Sequence, residues 1–197
     1  MRLAFLASNN GSSMRAIVAA CRDGRLAAWP VLVVSNRKEA AALAFAHEHG
    51  VSSLYISTIK DPDTADAALA ESLASAKADL VVLSGYLRKL GPRTLAAYRN
   101  RVLNVHPALL PAFGGQGMYG RRVHEAVLAA GAAQTGATVH LVDEEYDHGP
   151  PVAQVCVPVH PGDTAQDIEA RVMAAEPGLY LDTLRRIASG ELKLPAP

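Results

Sequence analysis

The chain has 197 residues, half of them hydrophobic, which suits one domain with a sizeable core. Lys plus Arg equals Asp plus Glu at 19 each, so a formal net charge of zero offers no basic face to a nucleic acid or an anionic membrane. No run approaches the ~18 apolar residues of a membrane span. The start, Met1-Arg2-Leu3-Ala4-Phe5-Leu6, is interrupted by Ser8-Asn9-Asn10 before it could form a signal-peptide core. Two distant cysteines, Cys21 and Cys156, lack a metal-ligand spacing and fit a reduced cytoplasm.

In chain order, β-branched and leucine-rich runs alternate with alanine-rich helical stretches. Leu3 to Ala7 predicts a strand, Met14 to Cys21 a helix and Val31 to Val34 a buried strand. Glu39 to His49 predicts a helix stopped by Gly50, and Ser53 to Ile56 a weak strand. Asp63 or Thr64 is the expected cap of a helix reaching about Ala76. Leu80 to Leu83 is a central strand with Gly85 just after it. A helix near Arg93 to Tyr98 precedes the strand that carries Asn104 and His106. This alternation predicts an α/β fold with a doubly wound, mainly parallel, Rossmann-like sheet.

The second half differs. After the glycine-rich loop Gly114 to Gly120, a helix is expected from about Arg122 to Ala130. Thr135 to Val142 and Val152 to Val159 have no helix between them, which predicts an antiparallel C-terminal extension. A helical stretch from Thr164 to Ser189 closes the chain, and Pro177-Gly178 should kink or split it. With no repeat or linker, residues 1–197 read as a single domain.

Three segments carry chemistry. Asn104-Val105-His106-Pro107 places an amide and an imidazole on one face of a strand end. Together they suit a reaction in which negative charge grows on a carbonyl oxygen. Ser8-Asn9-Asn10-Gly11-Ser12-Ser13 joins the first strand to the first helix, where unpaired N–H groups and the helix dipole suit a phosphate. A helix cap and turn is the plainer reading of that loop. It lacks G-x-G-x-x-G and no acidic residue ends the second strand, so a nicotinamide dinucleotide fits poorly, although Arg37 leaves NADP open. Asp143-Glu144-Glu145-Tyr146-Asp147-His148-Gly149-Pro150 is an acidic turn. It reads either as a solvated hairpin or as the source of a carboxylate for the Asn104/His106 strand. Default surface positions are His124, His148 and His160, with His47 and His49 on their helix. Arg121-Arg122 reads as a surface pair at a helix start.

These segments occur in one order with Leu83-Ser84-Gly85-Tyr86-Leu87-Arg88, Pro107-Ala108-Leu109-Leu110-Pro111 and Thr138-Val139-His140. In this the chain resembles the folate-dependent formyltransferase superfamily, and within it the phosphoribosylglycinamide formyltransferase branch, over nearly its whole length. The resemblance implies that Asn104, His106 and Asp147 are catalytic. It implies that Gly11, Ser12, Ser13 and Glu176 bind the ribonucleotide. It also implies that Leu87, Arg88, Lys89 and Leu90 contact the folate, together with Asn104 and the turn Asp143, Glu144, Glu145, Tyr146 and Asp147. Thr138 and His140 would support the trio.

Residues 1–100 would then form the nucleotide and phosphate half, and 101–197 the catalytic and folate half. The implied co-substrate is 10-formyltetrahydrofolate, with no metal. The implied partners are this folate and glycinamide ribonucleotide, with no nucleic acid or membrane, and a homodimer stays open. The chain departs from common family patterns at Asn9, Ser13 and Pro177, and near Pro62, where some members use an arginine against the folate.

The amine would attack the formyl carbon. Asn104 and a protonated His106 would stabilise the oxyanion, and Asp147 would favour the imidazolium and relay a proton through water. Rival readings are a formyltetrahydrofolate hydrolase and a formyltransferase acting on a charged tRNA or an amino sugar. Both usually carry further domains, whereas this chain starts at its first strand. A non-catalytic nucleotide-binding domain on the same scaffold is the reading from another class.

Overall fold

The computed structural model describes residues 1–197 and consists of one seven-stranded sheet flanked by helices. The strands are β1 (Arg2–Leu6), β2 (Trp29–Ser35), β3 (Ser53–Tyr55), β4 (Leu80–Leu83), β5 (Val102–His106), β6 (Gln134–Leu141) and β7 (Pro151–Pro158). The helices are α1 (Ser12–Arg22), α2 (Ala41–Glu48), α3 (Pro62–Ser75), α4 (Pro92–Ala97), α5 (Arg121–Ala129) and α6 (Ala165–Ala188). The sheet order is β3-β2-β1-β4-β5-β6-β7. The first five strands pair in parallel, while β6 runs antiparallel to both β5 and β7. The expected doubly wound sheet with an antiparallel extension is therefore what forms.

The alternation of side chains along β1 divides the core. Leu3, Phe5 and Ala7 join Met14, Ile17 and Val18 of α1 and Tyr180 and Leu184 of α6 on one face. Ala4 and Leu6 join Leu69 and Leu73 of α3 on the other. Strands covered on both faces read as continuous apolar runs, which is why Leu80-Val81-Val82-Leu83 is buried throughout. The edge strand β7 instead leaves most of its residues partly or fully exposed.

Three expectations are corrected. The cap of α3 is Asp61, which accepts from the Thr64 N–H at 3.0 Å, with Pro62 opening the helix where its missing N–H costs nothing. Helix α6 is not split, for it continues through Pro177 as one 24-residue element. The ring removes one bond to the Met173 carbonyl, and Met173 lies on the solvent side, where water can take that acceptor. His124 is not at the surface. It sits with Val123 and Val127 on the buried face of α5, only 1% exposed, and its Nδ1 has no partner. Burial pushes its pKa down, with Glu169 opposing.

The strand order reverses between β1 and β4, and ligands of open α/β sheets bind beyond the carboxyl ends of strands at such a point. The loops after β1 and β4 are tied together there. Ser8 N–H donates to the Gly85 carbonyl at 3.1 Å, and the Ser8 hydroxyl donates to Asn36 Oδ1 at 2.6 Å and accepts from the Leu87 N–H at 2.8 Å.

Candidate active site

The antiparallel pairing of β5 with β6 builds the site. Asn104 lies opposite His140, and His106 opposite Thr138. Two i, i+2 pairs on facing strands thus share one face. The buried Thr138 hydroxyl donates to the Ala108 carbonyl at 2.6 Å and accepts from the Leu110 N–H at 3.0 Å. Gln154 of β7 adds bonds of 2.9 Å to Thr138 Oγ1 and to the Leu110 carbonyl. Thr138 therefore fixes the loop that follows His106.

The ring nitrogens can be assigned from their partners. His140 Nδ1 faces the Leu141 carbonyl at 2.9 Å, which can only accept, so this nitrogen carries a proton. Burial pushes the His140 pKa down, which favours the neutral ring. Its Nε2 then accepts from Asn104 Nδ2 at 3.1 Å. One Asn104 amide N–H is used in this way, and the other is left for the adjoining cleft.

His106 is 3% exposed. Its Nε2 lies 2.8 Å from the Phe113 carbonyl and its Nδ1 3.2 Å from Asp147 Oδ2. Both oxygens only accept, so the doubly protonated ring satisfies this geometry with each N–H donating. Asp147 Oδ2 also accepts from the Gly115 N–H at 3.1 Å. Burial raises the Asp147 pKa, but the bond and charge of His106, with Gly115 and His140 adding to them, outweigh burial and hold it below the ordinary carboxylate value. Asp147 Oδ1 has no donor within hydrogen-bond range, His140 Nε2 being 3.6 Å away.

A cleft of about 490 Å³ opens onto Asn104, His106 and Asp147. Its far wall is the strap Gly115 to Gly120 and Arg122. A second cleft of about 380 Å³ is lined by Leu87, Arg88, Lys89 and Leu90 with Ile56 and Leu69. A small space of about 80 Å³ connects the two regions, bounded by Leu90, Asn104, His140, Asp143, Glu145 and Asp147. Tyr86 and Tyr146 border all three, which makes them one trench. Both larger clefts lie in the range of about 300–1,000 Å³ typical of small-molecule sites.

The other expected site residues fall as follows. Gly11, at φ 65°, is the N-cap of α1, and no protein group accepts from the Ser12 or Ser13 backbone N–H. Ser12 is exposed and Ser13 buried. These three line none of the clefts described. Glu144 also turns away, facing a separate polar cleft with Arg99, Asn100 and His148. Glu176 lies on α6 without a hydrogen-bond partner, and burial pushes its carboxyl up to about 7 against the lowering effect of His106.

Glu176 makes a stability prediction. Between pH 4.5 and about 7 the folded protein keeps a proton that the unfolded chain has released, so stability falls as pH rises through that window. Glu176→Gln should escape this loss. Its advantage over the parent should widen from pH 5 to pH 8 by up to about 3 kcal/mol, less where the carboxyl keeps solvent. Urea unfolding at the two pH values measures it, and a constant difference would contradict the burial.

Residues missed by sequence reading include Tyr86, Gln154 and Tyr180, whose hydroxyl lies against the Leu83 and Leu103 carbonyls at 3.1 and 2.8 Å and fastens β4 to β5. The aromatic directly after Gly85 was the available signal for Tyr86. Gln154 and Tyr180 had none, since their roles exist only across strands.

The sequence model of the formyl transferase family matches residues 1–184. This chain belongs to the formyl transferase family. It is 38% identical over 195 residues to the chloroplastic phosphoribosylglycinamide formyltransferase of Arabidopsis thaliana, covering 98% of this chain and 67% of that protein. It is 34% identical over 196 residues to phosphoribosylglycinamide formyltransferase of Escherichia coli (strain K12), covering 98% and 90%. The crystal structure of glycinamide ribonucleotide transformylase 1 from Symbiobacterium toebii superposes with a TM-score of 0.90 at 37% identity, over 100% of this chain and 91% of that one. The chain spans 67% and 60% of two chloroplastic relatives but 90% of each of two bacterial ones. The formyl transferase fold thus carries the Asn104, His106 and Asp147 cluster at the carboxyl end of its sheet.

Proposed function

We propose that this chain transfers the formyl group of 10-formyltetrahydrofolate to the primary amine of glycinamide ribonucleotide, a step of purine biosynthesis, in the cytoplasm. The observation that carries this reading is the meeting of an unused Asn104 N–H, a His106 ring between two acceptors and an unengaged Asp147 Oδ1 at one cleft. The names of two bacterial relatives that the chain covers to 90% support the choice of substrates.

In the reaction the amine nitrogen bonds to the formyl carbon, the bond to the folate nitrogen breaks, and one proton passes from the amine to that nitrogen. Asn104 donates its remaining N–H to the oxygen as it becomes anionic. His106 contributes mainly charge, because both of its N–H groups already donate. Asp147 Oδ1, which has no donor of its own, suits a water that carries the proton. The neighbouring cleft, with Leu87 to Leu90, Tyr86 and Tyr146, takes the folate. Asp143 and Glu145 border the small space that joins it to the reaction cleft, and Glu144 does not. Gly11, Ser12 and Ser13 take the phosphate on unpartnered N–H groups, and Glu176 takes a ribonucleotide polar group. The two halves share these tasks, 1–100 supplying the phosphate loop and Leu87 to Leu90, and 101–197 the trio, the acidic turn and Glu176.

The test is consumption of 10-formyltetrahydrofolate by the purified protein with and without the ribonucleotide. Amine-dependent turnover with formylated product is expected. Equal turnover without the amine would identify a hydrolase, and binding of both ligands without turnover a non-catalytic domain. Within this reading, Gly11→Ala forces a side chain into a left-handed conformation and towards Met14 Cε at 3.1 Å. At a cost of about 1–2 kcal/mol it should raise the ribonucleotide KM roughly tenfold and spare the folate KM. Steady-state kinetics with each substrate varied will show this, and an unchanged ribonucleotide KM would remove the loop from the site.

A further inference from the structure

Charged side chains on the wall of the reaction cleft are partnered, with one exception. Asp147 and His106 hold each other. Arg122 is the only Lys or Arg on that wall, and it makes no ion pair or hydrogen bond. Its sequence neighbour Arg121 behaves differently, donating through Nε to Glu169 Oε2 of α6 at 3.0 Å. The Arg122 guanidinium instead lies 5.3 Å from the ring centroid of Tyr119, another residue of the same wall.

The geometry points to Arg122 as a specificity-determining residue that grips an oxyanion, carboxylate or phosphate, of a ligand engaged at the Asn104/His106 cleft. The guanidinium is a planar fork that matches either group bidentately. Its cation–π contact with Tyr119 limits its orientations before the ligand arrives, which lowers the ordering cost of binding. Its backbone belongs to the first turn of α5, anchored by the buried Val123 and His124, and not to the glycine strap. With a formal net charge of zero the chain has no broad positive field, so anion selection has to come from local groups such as this one. By contrast Arg171, on α6, is held by Asp163 at 2.8 Å. The inference rests on the formyl-transfer reading, in which one ligand carries a phosphate and the other carboxylates.

The experiment compares the parent, Arg122→Gln, Arg122→Lys and the control Arg121→Gln. Steady-state kinetics are run with each substrate varied, and each ligand alone is titrated by calorimetry. Arg122→Gln should raise KM and Kd for one ligand by ~10-fold or more, leave the other within about twofold, and keep kcat within about threefold. Arg122→Lys should restore part of the loss, and Arg121→Gln should cause none. A shift for the ribonucleotide identifies the phosphate as the anion, and a shift for the folate identifies a carboxylate. The inference is overturned if neither ligand moves beyond about twofold, if Arg121→Gln matches the effect, or if kcat falls while both KM values stay put. If the parent forms no product, the functional reading fails, and the calorimetric comparison alone decides the role of Arg122.

Discussion

Replacing His106 by alanine is expected to lower kcat about 10³-fold while the ribonucleotide KM changes little. The side chain sits 3% exposed between the Phe113 carbonyl and Asp147, so in the proposed reaction a charge on it would act on the oxyanion with little solvent screening. Its removal also strands a carboxylate that is itself only 11% exposed. Asp147→Asn keeps the shape, loses the proton acceptor and should cost about 10²–10³-fold on its own. Because the two groups work as one unit, the double variant should be far less impaired than the product of the single effects. Steady-state kinetics on the four proteins, with thermal unfolding to confirm that each is folded, decides the matter. A His106→Ala kcat within about tenfold of the parent, or fully multiplicative losses, would remove the pair from the chemistry.

The parts of this architecture that local pattern encodes were legible. Continuous apolar runs gave the buried parallel strands, and the absence of a helical pattern between Thr135 and Val159 gave the antiparallel pair. The i, i+2 spacing placed Asn104 and His106 on one face, as the structure shows. The left-handed Asp147, at φ 55°, reaches them from the β6–β7 turn, a long-range contact that required the family resemblance to anticipate. Three failures have a common physical cause. Cap choice at Asp61 depended on Pro62 fixing where the helix opens. Continuity of α6 through Pro177 depended on its packing against α1, α5 and β6, which local propensity ignores. Burial of His124 followed from which face of α5 meets α6, and a polar residue on an otherwise mixed helix does not reveal it. The Phe113 carbonyl and Gly115 N–H, which hold His106 and Asp147 from the loop after β5, are backbone groups and carry no side-chain signature at all.

Gly149→Ala is expected to damage both folding and catalysis. A Cβ at this position would lie 1.9 Å from the Leu141 carbonyl oxygen and 2.8 Å from its carbon. Both are backbone atoms in the last residue of β6, so no flexible side chain can yield. Overpacking of this kind costs about 1–3 kcal/mol or more, and for a chain of this size each kcal/mol lowers Tm by roughly 2–4 °C, so a loss of about 5–10 °C is anticipated. The displaced oxygen is the one that His140 Nδ1 donates to, so the ring that accepts from Asn104 loses the contact fixing its tautomer. Gly149 also lies two residues after Asp147, and opening the turn draws Oδ2 away from His106, now 3.2 Å distant. A misplacement of about 1 Å can cost ~10²-fold in rate, so kcat should fall well beyond what partial unfolding at the assay temperature explains. Calorimetry and kinetics on the same preparation separate the two effects. A variant with parental Tm and kcat would show that the turn accommodates a side chain, and the close approach of Gly149 to β6 would then have no part in placing Asp147.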